Sequence, residues 1–227
     1  VSRPVAILFA AGPGMGQAIA ARFAREGFRC VLVGRSMATL EAVAAAIAAD
    51  CGETDLFTAD LAELSACQSV LADLISAYPA PEVVVFNGGV MRVGAALDLS
   101  PGDFLRDLNL GVVAAHAAVT AFAPAMVARG SGSLLFTGGG LALYPQYGAE
   151  MVSLVAAKAA LRGYVLALHE SFAPQGIAVG TVTIAGMVAS GTAFDPDLIA
   201  EHYWALHRSG PGASAEIVHD GSGVLSA

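Results

Sequence analysis

Charge is scarce in this sequence, and positive charge scarcer still. Of 227 residues only 13% are charged, a single one is lysine (Lys158), and the net charge is −8. A chain so acidic offers no basic patch, so neither nucleic acid nor an anionic membrane surface is expected as a partner. The cysteines number three, Cys30, Cys51 and Cys67. They are odd in number, sit in apolar or helical surroundings and lack metal spacing, so free thiols in a reducing cytoplasm are expected. His202, His207 and His219 form no metal-binding pattern either; they are read as surface or packing residues, and no metal is expected. No signal-peptide pattern is visible. One long run, residues 110–128, is free of formal charge, but its alanines, His116 and Pro124 favour a buried helix over a membrane span. The length leaves no room for a separate substrate domain, so residues 1–227 are expected to form one α/β domain.

What the chain has in abundance is apolar residues, 56% of the total. That suits a parallel sheet covered on both faces, with further apolar surface buried between subunits. The opening is the most informative stretch. Residues 5–10 are an unbroken apolar run, the mark of a strand buried on both sides. Ala11-Gly-Pro-Gly-Met-Gly16 interrupts it with turn formers. A helix is predicted over 17–26, with Ile19 and Phe23 on one face and Gly27 as its stop. Residues 30–34 then read as a second buried strand. Strand, glycine loop, helix and parallel strand together place backbone N–H groups at a helix N-terminus, where an anion is favoured. This is a dinucleotide-binding opening.

The spacing Gly12-x-Gly14-x-Gly16 is not G-x-G-x-x-G. It resembles the T-G-x-x-x-G-x-G loop of the short-chain dehydrogenase/reductase family. Gly14 and Gly16 match, Met15 lies between them, and Phe9 and Ala10 stand in the places of the Thr and first Gly. With that Gly missing, the loop is expected to follow a slightly different path, Gly12 supplying the flexibility. At the second strand's end Gly34 stands where an acidic residue would select NAD, and Arg35-Ser36 follows. A guanidinium there suits a 2′-phosphate, so NADP(H) is favoured, NADPH over NADH. A third strand, 54–59, ends at Asp60-Leu61. The resemblance gives this Asp a hydrogen bond to the adenine amino group, while its bland alternative is to cap a helix over 63–76. After the fourth strand, 82–86, Asn87-Gly88-Gly89 resembles the family's Asn-Asn-Ala-Gly, with Phe86 in place of the first Asn.

The second half carries the catalytic expectations. Asn109 precedes the long apolar helix and matches the family's Asn, which holds a water in a proton relay. Strand five, 133–137, leads to Gly138-Gly139-Gly140, where the family has its catalytic Ser; Thr137 is the nearest hydroxyl. In a helix predicted over 151–172, Leu154-Val-Ala-Ala-Lys158 resembles Tyr-x-x-x-Lys, whose two side chains share one helix face. Lys158 is retained, with the cofactor ribose hydroxyls as its target, and Leu154 replaces the Tyr. Beyond strand six, 176–184, Ala185-Gly186 replaces Pro-Gly, and Val188 and Ser190 match positions that contact the nicotinamide carboxamide. A mobile amphipathic helix over 195–208 occupies the place of a substrate lid, and 215–218 is a short seventh strand.

The resemblance spans nearly the whole chain. It implies a Rossmann-type doubly wound parallel sheet in the order 3-2-1-4-5-6-7, with three helices on each face. It also implies a homodimer or homotetramer built through the two long helices, and a small-molecule carbonyl or alcohol substrate. Catalytic roles are expected for Lys158, Asn109 and Thr137. Two readings stand: an oxidoreductase whose proton comes from Tyr144, Tyr147, Thr137 or a water, and an NADP-binding pseudoenzyme with a sensing or partner-binding role.

Overall fold

The computed structural model describes residues 3–48, 53–212 and 214–222; Cys51 lies outside them. Seven strands form one sheet: β1 (Val5–Phe9), β2 (Arg29–Gly34), β3 (Thr54–Thr58), β4 (Val83–Phe86), β5 (Gly132–Gly139), β6 (Ile177–Ile184) and β7 (Glu216–His219). All neighbouring pairs are parallel and the order is β3-β2-β1-β4-β5-β6-β7. The near-continuous apolar runs have a direct cause: both sheet faces are covered, so successive side chains go to opposite cores. Ala6, Leu8, Cys30, Leu32, Val83 and Val85 face one core, with α1 (Met15–Arg25), α2 (Met37–Ala48) and α7 (Pro196–Ser209). Ile7, Phe9, Val31, Val33, Val84 and Phe86 face the other, with α3 (Leu64–Ala77), α5 (Ala114–Arg129) and α6 (Val152–Phe172). Each fully buried Leu, Ile or Phe contributes about 1.5–3 kcal/mol to this sandwich. Burial also pushes the Cys30 thiol up to about 12 and raises Cys67, so both stay protonated.

α4 (Pro101–Leu108) is capped by Ser100, whose hydroxyl accepts from the Asp103 N–H at 3.0 Å. It does not stop before the apolar helix. A π-helical turn, Asn109–Val113, joins it to α5, so the whole run is one helix, Pro101–Arg129. A π-turn holds one residue more than an α-turn and re-aims the side chains that follow. This run and the helix Val152–Gln175 are long and apolar enough to cross a membrane by length and composition, yet in this fold their inner faces lie on the sheet.

α7 corrects an expectation. Ile199, Ala200, His202, Tyr203 and Leu206 are buried in the first core. Arg22 of α1 pairs with Glu201 at 2.8 Å and sits over Trp204, whose ring also meets Phe23 edge-on. It is a core helix rather than a lid. The histidines are packing residues: His202 bonds His219 at 2.9 Å, and His207 bonds Ser133 at 2.8 Å.

Candidate active site

The strand order reverses between β1 and β4, so the loops leaving their C-terminal ends diverge and open a crevice. Two cavities occupy it. The first, about 350 Å³, runs over the ends of β1, β2 and β4 and is lined by Gly12, Arg35, Ser36, Leu61, Asn87 and Gly89 among others. The second, about 490 Å³, lies beyond β4 and β5 and includes Gly89, Thr137, Leu154 and Lys158. Gly89 belongs to both, so they form one groove.

The first cavity is framed by the loop after β1. Its path differs from expectation: the left-handed residues are Ala10 (φ 56°) and Gly14 (φ 80°), not Gly12. Ala10 is the one non-glycine with positive φ among the described residues, and it stands where the resembled loop has its first Gly. Gly14 opens α1 without a side-chain cap, leaving backbone N–H groups for a ligand. Gly16 lets the helix sit on the loop, since a Cβ there would be 3.0 Å from the Ala11 Cα. At the far end Arg35 is exposed and has no hydrogen bond or ion pair among the described residues. Ser36 accepts from the Thr39 N–H at 3.3 Å, at the start of α2. Gly34 is sterically required: a Cβ would stand 2.9 Å from the Ala11 carbonyl oxygen and 3.0 Å from the Leu40 side chain.

Asp60 is engaged elsewhere. Its carboxylate pairs with Arg106 and accepts from the Ala62 N–H at 3.1 Å. It is not the cap of α3, which begins after Glu63 without a side-chain cap. Asn109 donates its amide to the Ala62 carbonyl at 3.3 Å and lines neither cavity. Ser190 is exposed and also lines neither, whereas Met15, Gly186 and Val188 line the second cavity.

At the junction the geometry is tightest. Lys158 is buried, and its Nζ donates to the carbonyls of Thr137 at 2.7 Å and Gly88 at 3.1 Å. Gly88 has no room for a Cβ, which would meet the Phe86 ring at 2.5 Å. The Cβ position of Gly89 lies 3.4 Å from Lys158 Nζ and 3.8 Å from Leu154 Cδ1, so the i and i+4 side chains share one spot. Burial without a carboxylate partner lowers the ammonium pKa to about 8.

Thr137 is less free than its position suggests. Asn87 gives its amide hydrogens to the Ala10 carbonyl at 3.3 Å, so its Oδ1 faces Thr137 and accepts the hydroxyl proton at 2.7 Å. Thr137 Oγ1 in turn accepts from the buried Tyr203 hydroxyl at 2.6 Å. Sequence reasoning missed Tyr203; its place beside Ile199 on the α7 face was the available signal. It also missed a bolt one residue before Leu154. Asp107, 3% exposed, accepts from Arg92 at 2.9 and 3.0 Å and from Ser153 at 2.7 Å.

The wall of the second cavity is otherwise apolar: Met15, Val90, Met91, Leu141, Met151 and Ile184. Tyr144 and Tyr147 stand at its rim, 48% and 75% exposed.

Comparison with known proteins agrees with this arrangement. The family model for short chain dehydrogenase matches residues 4–196. Galactitol 2-dehydrogenase (L-tagatose-forming) of Cereibacter sphaeroides is 30% identical over 183 residues, 76% of this chain and 66% of that protein. Sepiapterin reductase of Chlorobaculum tepidum is 30% identical over 58% of this chain and 57% of its own length. The chain thus matches less than two thirds of these relatives. A metagenomic short-chain oxidoreductase solved with NADP superposes with a TM-score of 0.84 at 27% identity, covering 95% of each chain. A short-chain dehydrogenase/reductase structure from Burkholderia xenovorans gives 0.86 at 22% identity, covering 96% and 95%, a likeness of fold. This chain belongs to the short-chain dehydrogenase/reductase family.

Proposed function

We propose that the protein is an NADP(H)-dependent oxidoreductase that interconverts a carbonyl and an alcohol on a largely apolar small-molecule substrate. The observation that carries this reading is Arg35, without a partner among the described residues, at one end of a groove whose other end is Lys158 and an apolar cavity. The residues fit a dinucleotide phosphate. Arg35 and Ser36 hold the 2′-phosphate at the start of α2, and the exclusion of any side chain at Gly34 removes the acid that would repel it. Gly12, Gly14, Met15 and Gly16 frame the pyrophosphate at the N-terminus of α1. Leu61, Asn87 and Gly89 line the path of the adenosine and ribose, with Gly88 and Asp60 behind them. Lys158 meets the second ribose, and Gly186, Val188 and Ser190 belong to the loop over the nicotinamide. When bound, the nicotinamide supplies or accepts the hydride. Thr137 and Asn109 act as positioning residues, the first through Asn87 and Lys158, the second through the π-turn. Binding of an NADP-bound neighbour's kind supports the cofactor class.

Leu154 favours a second reading, cofactor binding without turnover, because an alkyl group cannot protonate an oxygen. Calorimetry with NADPH followed by turnover on bulky aryl ketones separates the two. Failure to bind NADPH at millimolar concentration would refute both. The outward apolar faces of α5 and α6 support assembly as a homodimer or homotetramer, which sedimentation at micromolar concentration would check.

A further inference from the structure

We infer that Lys158 itself is the proton donor to the substrate oxygen, in the place left by Leu154; this rests on the oxidoreductase reading above. The inference comes from an inventory of the cavity. Its described lining contains no Ser, Cys, His, Asp or Glu. The candidates for carrying an exchangeable side-chain proton are Thr137, Tyr144, Tyr147 and Lys158. Thr137 has one hydroxyl hydrogen and spends it on Asn87 Oδ1. Tyr144 precedes and Tyr147 lies on a short 3₁₀ turn at the exposed rim, where no hydrogen bond among the described residues fixes either phenol.

Lys158 is held as a donor must be. An ammonium carries three hydrogens. Two go to the carbonyls of Thr137 and Gly88, and the third has no protein acceptor among the described residues. Nζ lies 3.4 Å from the Cβ position of Gly89, next to Leu154 Cδ1, on the wall shared by the two cavities. Leu154 carries no exchangeable proton, and it lies against the same Gly89 position and in the same cavity wall as Lys158. Gly139 keeps the other side open, since a Cβ there would press on the lysine stem at 3.3 Å.

Among the described residues no unpaired neighbouring charge competes. On α4 Asp107 is bound by Arg92 and Ser153, and on α6 Arg162 is bound by Glu216 of β7. The loop after β5 contributes Tyr144 and Tyr147, the loop after β4 brings Gly89, Val90 and Met91, and β5 brings the Thr137 hydroxyl and glycines. Burial alone therefore sets this amine, with a pKa of about 8, near the pH at which a donor can both hold and release its proton. The step balances as follows. The carbonyl carbon gains a hydride with its electron pair from NADPH, the C=O π bond breaks, and the oxygen takes the proton from Nζ. The neutral amine is then reprotonated from solvent.

Because Lys158 is the sequence's single lysine, labelling with [¹³C,¹⁵N]lysine gives one side-chain signal to follow by NMR. In the cofactor-free protein that signal should titrate near 8, and a bulky aryl alcohol should displace its midpoint. With NADPH and a panel of bulky aryl ketones, reduction should be full below that midpoint and fall tenfold per pH unit above it. Lys158→Arg keeps the cation but cannot release its proton, so NADPH affinity should stay within about threefold while kcat drops at least about 10²-fold. Tyr144→Phe/Tyr147→Phe should keep the pH limb, whatever the change in rate. A limb that survives in Lys158→Arg or disappears in the double Tyr variant would overturn the assignment. So would a wild type that binds NADPH and reduces none of the panel, or a lysine signal titrating at its ordinary value. A wild type that binds no NADPH overturns the oxidoreductase reading itself, and this role with it. If Lys158→Arg does not fold, the wild-type limb and the double Tyr variant still decide.

Discussion

Arg35→Ala is the sharpest test of the cofactor assignment, because one group distinguishes NADPH from NADH and one side chain is positioned to meet it. Arg35 lines the first cavity with no protein partner among the described residues, so its guanidinium need break nothing to bind a phosphate. Ser36 and the N-terminus of α2 stand beside it. Hydrogen bonds to a charged group contribute about 1.5–3 kcal/mol, and exposure places Arg35 at the lower end. About 1.4 kcal/mol is tenfold in affinity. NADPH should therefore bind about tenfold more tightly than NADH, and Arg35→Ala should remove that preference while leaving NADH within about twofold. The preference should also shrink with added salt, since the contact is open to water. Calorimetry is the suitable assay. Trp204 packs among Phe23, Phe28 and His207, so its fluorescence is a poor reporter of the groove. Equal affinities in the wild type, or an unchanged ratio in Arg35→Ala, would refute the reasoning.

Three further outcomes are expected. Asp107→Asn should cost about 2 kcal/mol in urea unfolding, as one hydrogen bond from Arg92 loses its acceptor and the other its charge at a buried site. Arg92 holds the Asp107 pKa below its ordinary value, so this contribution is present above about pH 4 and lost as pH falls through the folded value; the gap between variant and wild type should narrow there. Ala10→Gly should stabilise by about 0.5–1 kcal/mol, relief of a left-handed alanine exceeding the added chain entropy, and a lower urea midpoint would refute it. Leu154→Tyr should set a phenol beside Lys158 as the donor and move the alkaline limb of ketone reduction upward from about pH 8, a phenol holding its proton to higher pH; a folded variant whose limb stays in place would argue that its phenol misses the carbonyl.

The fold was legible because its signals are local and periodic. Unbroken apolar runs such as Val83–Phe86 can only be strands covered on both faces, and the element order then leaves few topologies. What escaped notice depends on partners far along the chain. Asp60 stands where an adenine contact is expected, but Arg106, brought in by α4, holds its carboxylate. An amphipathic stretch reads the same for a lid as for a core helix. Only Arg22 and Phe23 of α1, meeting Glu201 and Trp204, make α7 the latter. Spacing alone could not say that Ala10 rather than Gly12 would take the left-handed turn, since that follows from how Gly16 packs on Ala11.

The site divides along the same line. Leu154 and Lys158 are one helical turn apart, so their sharing of a face was fixed by the number of residues between them. The meaning of that pair was not, because it turns on groups from three other segments. Gly88 and Thr137 supply the carbonyls that hold Nζ, and Asn87 with Tyr203 occupies the hydroxyl that a sequence would nominate as its substitute. A missing tyrosine reads, in the sequence, as a missing acid. On the inference drawn above, the leucine that replaces one proton donor stands beside another, both lying against the same Gly89 position.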